Sequence, residues 1–156
     1  MPNHCENDLS VTGDKEKLKC FKEFAKGLNP WADEDGKENS EDRIELLSCH
    51  KFIPAPEEAI KDYGKVGYDW CIKNWGTKWG FYKIELQEED GELFYTFQTA
   101  WSPAEPVIKK MAEMFPELTF ELRYFEQGMG FNGILRIEKG RIVAQKSGEY
   151  FGDRGG

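Results

Sequence analysis

The chain has 156 residues, with 21 basic and 29 acidic side chains and a net charge of −8. This length favours a single domain, residues 1–156, and the negative charge opposes direct binding to nucleic-acid phosphates or anionic membranes. An apolar run long enough to span a bilayer and a secretory leader are both missing from the sequence, so the expected location is the cytoplasm and the four cysteines are expected to be free thiols.

The first predicted elements are a strand and a helix. Residues His4 to Thr12 alternate in character, which predicts a half-buried strand. Gly13 then turns the chain, and Asp14 is a suitable helix N-cap. The helix that follows places its apolar residues at helical spacing, namely Leu18, Phe21, Ala25 and Leu28.

An acidic insertion follows this helix. Residues 31–45 hold seven acidic and two basic side chains with no hydrophobic period, which is typical of a loop. We expect the whole insertion to cover about residues 30–67. It includes a short helix from Pro56 to Tyr63, where proline suits the first helical position.

A hairpin and a second helix come next. Residues 81–87 and 93–100 alternate around a turn that ends in Asp90-Gly91, which predicts two antiparallel strands. The segment Ser102-Pro103-Ala104-Glu105 has the pattern of a capping box with proline in the first turn. We expect the helix that it starts to end before Pro116.

The last predicted elements are strands. Residues Leu118 to Gln127 form one strand, Gly128 to Gly133 form a turn, and an additional C-terminal hairpin covers about residues 131–147. The resulting β-α-β-β-α-β order predicts an α+β fold of the ferredoxin-like, split βαβ type. Both helices would then lie on one face of an antiparallel sheet.

Tryptophan is concentrated in the segment from Tyr68 to Trp79, where three indoles alternate with polar residues. Such a segment is too polar for a simple core and too aromatic for a simple loop. Packing in the core and a binding surface are both compatible with it. If it is a binding surface, the candidate residues for a ligand or partner are Trp75, Lys78, Trp79, Trp101 and Phe131.

Three motifs suggest chemistry that their context does not support. Residues 128–133 match G-x-G-x-x-G, but a strand follows where a dinucleotide site needs a helix. The pairs His4-Cys5 and Cys49-His50 have ligands for zinc, but adjacent residues on a strand point to opposite faces. A catalytic Cys-His dyad could form only from Cys49 with His4 or from Cys5 with His50. We therefore predict no catalytic residues, no metal and no cofactor.

Several short motifs occur along the chain, namely Met1-Pro2-Asn3, Cys5, Asn7, Val11-Thr12-Gly13, Asn74-Trp75-Gly76-Thr77-Lys78-Trp79, Thr99-Ala100-Trp101-Ser102-Pro103, Glu126, Gly128, Gly130, Phe131 and Gly133. Together they resemble the YubB-type ferredoxin-like proteins of phages and plasmids. The resemblance extends from the first residues to about Gly133, with His4 as a departure where the family usually has tryptophan. It implies the ferredoxin-like fold and an origin in a mobile element, and it implies no catalytic residue.

The leading functional hypothesis is a non-enzymatic binding protein of a phage or other mobile element. By analogy with small acidic phage proteins, it would act in counter-defence by sequestering a host defence protein or a small anionic nucleotide signal. One alternative is an acidic mimic of nucleic acid that inhibits a host enzyme. Another is a hydrolase that acts on nucleotides. Each of these hypotheses is compatible with a homo-oligomer.

Overall fold

The computed structural model describes residues 3–30 and 44–149, so most of the acidic segment predicted at 31–45 lies outside the described residues. Within these ranges the helices are α1 (Lys15–Ala25), α2 (Cys49–Phe52), α3 (Glu57–Lys61), α4 (Tyr68–Asn74) and α5 (Glu105–Met114), with a π-helical turn at Tyr63–Gly67. The strands are β1 (His4–Thr12), β2 (Gly27–Leu28), β3 (Ile44–Glu45), β4 (Tyr82–Glu89), β5 (Glu92–Ala100), β6 (Thr119–Glu126), β7 (Phe131–Glu138) and β8 (Arg141–Glu149).

Six strands form one antiparallel sheet in the order β4-β5-β1-β6-β7-β8. In the first four of these strands, α1 and the insertion connect β1 to β4, and α5 connects β5 to β6. This is the connectivity of the split βαβ unit, so the predicted ferredoxin-like fold class is confirmed. The hairpin of β7 and β8 extends the sheet beyond β6, while β2 and β3 form a separate two-stranded ribbon.

The core lies between one face of the sheet and the helices. Asp14 caps α1 by accepting a hydrogen bond from the backbone N–H of Glu16, and α1 buries Leu18, Phe21 and Ala25. The ring of Phe21 is the centre of an aromatic cluster, with centroid distances of 5.3–6.2 Å to Phe52, Tyr95, Phe115 and Phe120. Within residues 3–30 and 44–149, no helix packs against the other face of the sheet, where His4 and Glu6 of β1 are exposed. Of the helices in the described ranges, none is both long and apolar enough to cross a bilayer.

The start of α5 differs from the sequence prediction. The helix begins at Glu105 with Ala104 as its N-cap, so the predicted capping box does not form. The hydroxyl of Ser102 donates instead to the carbonyl oxygen of Gly76 at 2.6 Å. A tertiary hydrogen bond has therefore replaced the local one that the pattern favours.

The predicted turn at Gly128–Gly133 is also shorter than expected. Strand β7 already begins at Phe131, and Gly133 lies within it, opposite Tyr124. A Cβ atom at Gly133 would lie 2.2 Å from the hydroxyl oxygen of Tyr124 and 2.7 Å from the carbonyl oxygen of Lys146. Glycine is required here by the close approach of the tyrosine, not by a turn.

Candidate functional site

A lysine lies between two indole rings on the surface of the protein. The ammonium nitrogen of Lys78 is 4.6 Å from the ring centroid of Trp79 and 4.8 Å from that of Trp101. Trp101 is 38% exposed and Trp79 is half-buried. Both distances are within the range of cation–π attraction, so Lys78 interacts with both indoles.

The backbone of Trp101 is held in an uncommon conformation. Its φ of 71° is in the left-handed region, which costs a bulky residue about 1–3 kcal/mol. The N–H of Trp101 donates to the carbonyl oxygen of Asn3 at 2.8 Å. The carbonyl oxygen of the preceding Ala100 accepts from the hydroxyl of Thr77 at 2.9 Å. These bonds from two other segments hold the tryptophan in its orientation.

A chain of buried polar side chains supports this bend from beneath. The amide nitrogen of Asn7 donates to the hydroxyl oxygen of Thr99 at 3.0 Å, and that hydroxyl donates to the carbonyl oxygen of Ser102 at 2.7 Å. The hydroxyl of Ser102 continues the chain to the carbonyl oxygen of Gly76. Three motifs distant in the sequence are thereby joined below Trp101, and networks of this kind make the local geometry rigid.

The exposed indoles belong to a longer row of rings, which we call the aromatic strip. It consists of Tyr68, Trp101, Trp79, Tyr82 and His4. The centroid distances are 6.2 Å from Tyr68 to Trp101, 6.4 Å from Trp79 to Tyr82 and 5.6 Å from Tyr82 to His4. A hydrogen bond of 2.6 Å also joins Nδ1 of His4 to the hydroxyl oxygen of Tyr82. The strip thus ends on β1, at the edge of the uncovered face of the sheet.

Two of the five residues predicted to bind a partner lie elsewhere. Trp75 is fully buried, and its indole N–H donates to the carbonyl oxygen of Ile53 at 2.9 Å. Phe131 begins β7 and packs against Tyr124 on the far side of β1 from the strip, with a centroid distance of 6.1 Å. The structure therefore brings together Lys78, Trp79 and Trp101, but not Trp75 or Phe131.

A groove of about 850 Å³ lies on the uncovered face of the sheet, across β4, β5, β1 and β6. Its acidic lining residues are Glu6, Asp8, Glu85 and the buried Glu126, and His4 joins it to the aromatic strip. In the sheet register, Glu6 lies opposite Gln98 of β5 and Phe125 of β6. We call this site the sheet groove.

Sequence reasoning missed the sheet groove. The alternation in β1 was used to find its buried residues, but the same period places His4, Glu6 and Asp8 together on the other face. That was the available signal. The neighbours from β4 and β5 could not be assigned, because the sequence does not give the strand order or the register.

Strand β4 is irregular where it borders the sheet groove. The pairing with β5 shifts between Tyr82 and Glu85, and Lys83 between them has a φ of 52°. Such a bulge redirects side chains and interrupts edge pairing. Lys83 and Glu85 are both exposed and both line the groove.

The described residues offer no activated nucleophile among the cysteines that were candidates for a Cys-His dyad. Burial raises the pKa of the Cys5 thiol to about 12 and that of the Cys49 thiol well above its ordinary value. A thiol in that state is a poor nucleophile, since the thiolate is the reactive form. In residues 3–30 and 44–149, no group of three or more His, Cys, Asp or Glu side chains is arranged to hold a metal ion.

His50, the histidine of the possible Cys5–His50 dyad, is the basis for a prediction about how stability depends on pH. Its Nδ1 accepts a hydrogen bond from the backbone N–H of Ala55 at 2.9 Å, and burial lowers its pKa from the ordinary value of 6.5. Protonation therefore favours the unfolded chain. We expect the His50 contribution to stability to be complete above about pH 6.5 and to be lost as the pH falls through the lowered pKa.

Urea unfolding at about pH 7.5 and about pH 5 measures this effect. His50→Asn is the control, because asparagine keeps an acceptor near Nδ1 and does not titrate. The wild type is expected to lose more stability than this variant over the interval. Equal losses would show that other groups cause the pH dependence.

The glycine-rich turn between β6 and β7 already contains an anionic group of the chain itself. The carboxylate of Glu126 accepts from the N–H of Gly128 and of Met129, each at 2.7 Å. Glu126 is fully buried. Because these amides bind the chain's own carboxylate, they are not available to a phosphate in this structure.

Comparison with known proteins agrees with this architecture. Residues 81–153 match the family model described as a ferredoxin-like domain in Api92-like protein. The chain has the ferredoxin-like fold. The crystal structure of protein api92 from Yersinia pseudotuberculosis aligns with a TM-score of 0.71 at 11% sequence identity, over 98% of this chain and 99% of that chain. No curated protein matches the sequence.

Proposed function

We propose that this protein is a non-catalytic binding protein, and that Trp79, Lys78 and Trp101 form the centre of its binding surface. The observation that carries the proposal is the exposed Trp101 at a left-handed φ, whose N–H donates to Asn3 just before β1 and whose neighbour Ala100 accepts from Thr77 after α4. Strain of this kind persists where the surrounding structure imposes it, and it is concentrated at functional sites. Exposed, rigid tryptophans are also the residues that contribute most at protein interfaces.

The partner that this surface suits best is a protein. The charge of Lys78 is already shared between two indoles, and the adjoining sheet groove contributes the carboxylates of Glu6, Asp8 and Glu85. Such a surface repels an anionic nucleotide signal. A host defence protein is therefore the favoured partner, and a small nucleotide is the less favoured one.

The resemblance to YubB-type proteins supports the rest of the proposal. On that basis the protein originates from a phage or plasmid, acts in the cytoplasm of the host cell and serves in counter-defence. The match of residues 81–153 to an Api92-like domain is compatible with this proposal through the shared fold. The argument for counter-defence is one of analogy, since one fold supports many functions.

An acidic mimic of nucleic acid has less support. Its charge would come from residues 31–45 and from residues 81–101, which hold five acidic side chains and one basic side chain. Residues 31–43 lie outside the described residues. In the β4–β5 hairpin, Glu88 forms an ion pair of 2.7 Å with Lys22 of α1. The lysines Lys15 and Lys19 border the same depression as the hairpin acids, which weakens any imitation of a phosphate backbone.

The test is capture of host proteins from lysate by three immobilised forms of the full chain. These are the wild type, a Trp79→Ala/Trp101→Ala variant and an Ile142→Ala/Val143→Ala control, which removes exposed apolar area from β8. We expect the wild type and the control to retain the same protein, and the tryptophan variant to lose it by at least about 100-fold, as for a central hot spot. Equal retention by all three forms, with an unchanged circular dichroism spectrum, would reject the aromatic surface.

A further inference from the structure

We infer, on the basis of the proposed function, that Trp79 and Trp101 form a cage for a quaternary ammonium group, and that its ligand is a trimethylated lysine side chain of the partner protein. We call these two residues the indole cage. In the free protein the ammonium group of Lys78 occupies the indole cage, so it competes with the ligand. Quaternary ammonium groups are the cations for which cages of aromatic rings are best suited.

The faces of both indoles are directed at the same point. The ammonium nitrogen of Lys78 lies over each ring, 4.6 Å from the centroid of Trp79 and 4.8 Å from that of Trp101. A methyl carbon packs on a ring at about 3.5–4.0 Å, and its bond to nitrogen is about 1.5 Å long. The nitrogen of a methylated ammonium group is therefore expected at about 4–5 Å from each ring. The spacing of the cage suits a methylated cation, whereas a bare ammonium group can approach a ring more closely.

Ring faces alone hold the Lys78 ammonium group in the part of the chain that the structure describes. Among residues 3–30 and 44–149, no group accepts a hydrogen bond from its nitrogen or forms an ion pair with it. A primary ammonium group has three N–H donors, which lose water in such a site without gaining acceptors. A trimethylated ammonium group has the same charge and no N–H. It therefore fits these walls better than Lys78 itself does.

The walls of the cage are preformed. The ring of Tyr68 stands at 78° to that of Trp101, and the ring of Tyr82 stands at 57° to that of Trp79, so each indole has an aromatic neighbour. The left-handed backbone of Trp101 is also fixed by its hydrogen bond to Asn3. Walls that are already in place bind a ligand without a further cost of ordering them.

Lys78 is an occupant that can leave the cage. The hydroxyl of Tyr63 donates to the carbonyl oxygen of Lys78, which holds the backbone of this residue in place. The side chain is a flexible stem of four carbons and is half-buried. A change of its side-chain torsions is therefore sufficient to move the ammonium group into water. Its removal should strengthen binding of an external cation, which is the reverse of what a ligand-binding lysine would show.

The surroundings of the cage favour a methylated lysine over the choline head group of a lipid. Through Tyr82 and His4 the cage adjoins the sheet groove, where Glu6 and Glu85 are exposed, and the whole chain has a net charge of −8. Negative charge attracts a cation and repels the phosphate that accompanies choline in a lipid. A lysine side chain brings no such phosphate.

The experiment is an NMR titration of the full chain, followed by the indole N–H resonances. The probe is a short peptide of glycine and serine with one trimethyllysine. Two matched peptides contain either unmodified lysine or the neutral analogue in which a tert-butyl group replaces the trimethylammonium group. The variants are Lys78→Ala, Trp101→Ala and the control Lys73→Ala, which removes the same charge as Lys78→Ala from an exposed position on α4.

We expect the trimethyllysine peptide to shift the indole resonances of Trp79 and Trp101 but not that of Trp75, which is hydrogen-bonded in the core. The neutral and unmodified peptides should bind at least about 5-fold more weakly. Lys78→Ala should bind about 5- to 30-fold more tightly, which corresponds to the loss of two competing cation–π contacts. Trp101→Ala should lose about 10-fold, and Lys73→Ala should change the affinity by less than about 3-fold.

Three results of this titration would overturn the inference. The first is equal binding of the charged and neutral peptides, which would show that the charge is not recognised. The second is unchanged or weaker binding by Lys78→Ala, which would show that Lys78 does not compete for the cage. The third is the absence of any shift in both the wild type and Lys78→Ala at millimolar peptide.

Two further results distinguish this inference from the proposed function. The trimethyllysine peptide should release the host protein that the wild type captures from lysate. Capture that is lost in the Trp79→Ala/Trp101→Ala variant but withstands the peptide would reject the inference alone. Sedimentation with phosphatidylcholine vesicles tests the other source of the same group: vesicle binding that Trp101→Ala abolishes, without binding of the peptide, would assign the cage to a lipid head group and overturn the inference.

Discussion

Trp75→Ala is expected to lower the free energy of unfolding by about 3–5 kcal/mol, the typical cost of truncating a buried tryptophan. Trp75 has no exposed surface, and its ring packs edge-on against Trp70 at a centroid distance of 5.3 Å. The substitution leaves a cavity and also leaves the carbonyl oxygen of Ile53 without its indole donor. Urea unfolding followed by circular dichroism measures the loss.

The matched control is Trp101→Ala, which removes the same side chain from the surface. Trp101 is 38% exposed and strained at φ 71°, so we expect its replacement to change stability by less than about 1 kcal/mol. The two substitutions should therefore differ in effect. Trp75→Ala should lower the stability of the fold, and Trp101→Ala should weaken capture of the partner protein. Similar costs for both would contradict the assignment of one indole to the core and the other to the surface.

Glu126→Ala is expected to destabilise the protein by about 2–4 kcal/mol, because charge-assisted hydrogen bonds contribute more than neutral ones. The carboxylate accepts from two consecutive amides and closes the turn between β6 and β7. Without it, those amides lose their acceptor, and the turn that sets the register of the C-terminal hairpin is no longer fixed. Thermal and urea unfolding report the change.

The Glu126→Gln variant distinguishes the contribution of the two hydrogen bonds from that of burying the side chain. Glutamine keeps one acceptor oxygen and replaces the other with a donor, so it should retain one of the two hydrogen bonds and give an intermediate cost. Amide hydrogen exchange at Gly128 and Met129 should increase in the order wild type, glutamine and alanine. Unchanged exchange in the alanine variant would show that other contacts hold the turn.

Much of the fold could be predicted because its signals are local. The period of two in residues 4–12, the Asp14 cap with its apolar helical face, and the Asp90-Gly91 turn each specify an element within about ten residues. The order of these elements leaves few arrangements in which both helices cover one side of a sheet. The α+β class and the strand bounds of β1 follow from these signals.

The candidate site could be predicted only in part, because it depends on contacts between distant segments. The sequence grouped Trp75, Trp79 and Trp101 as aromatic residues. In the structure, Trp75 caps the C-terminus of α4 and is buried, whereas Trp79 comes after the helix and stays half-buried at the surface. Phe131, the remaining aromatic candidate, begins β7 and lies three strands from β5. The sheet groove combines residues from four strands, and only its β1 part, His4, Glu6 and Asp8, had a local signal in the sequence.

The sequence by itself determined the alternation, the helix faces and the turns, because these depend on side chains within a few residues of one another. Only the tertiary structure decided that Trp101 adopts a left-handed conformation beside Lys78, and that Glu6 and Asp8 line one groove with Glu85 and Gln98. The reason is physical: strand register and buried hydrogen bonds between residues such as Asn7 and Thr99 depend on how the whole chain packs.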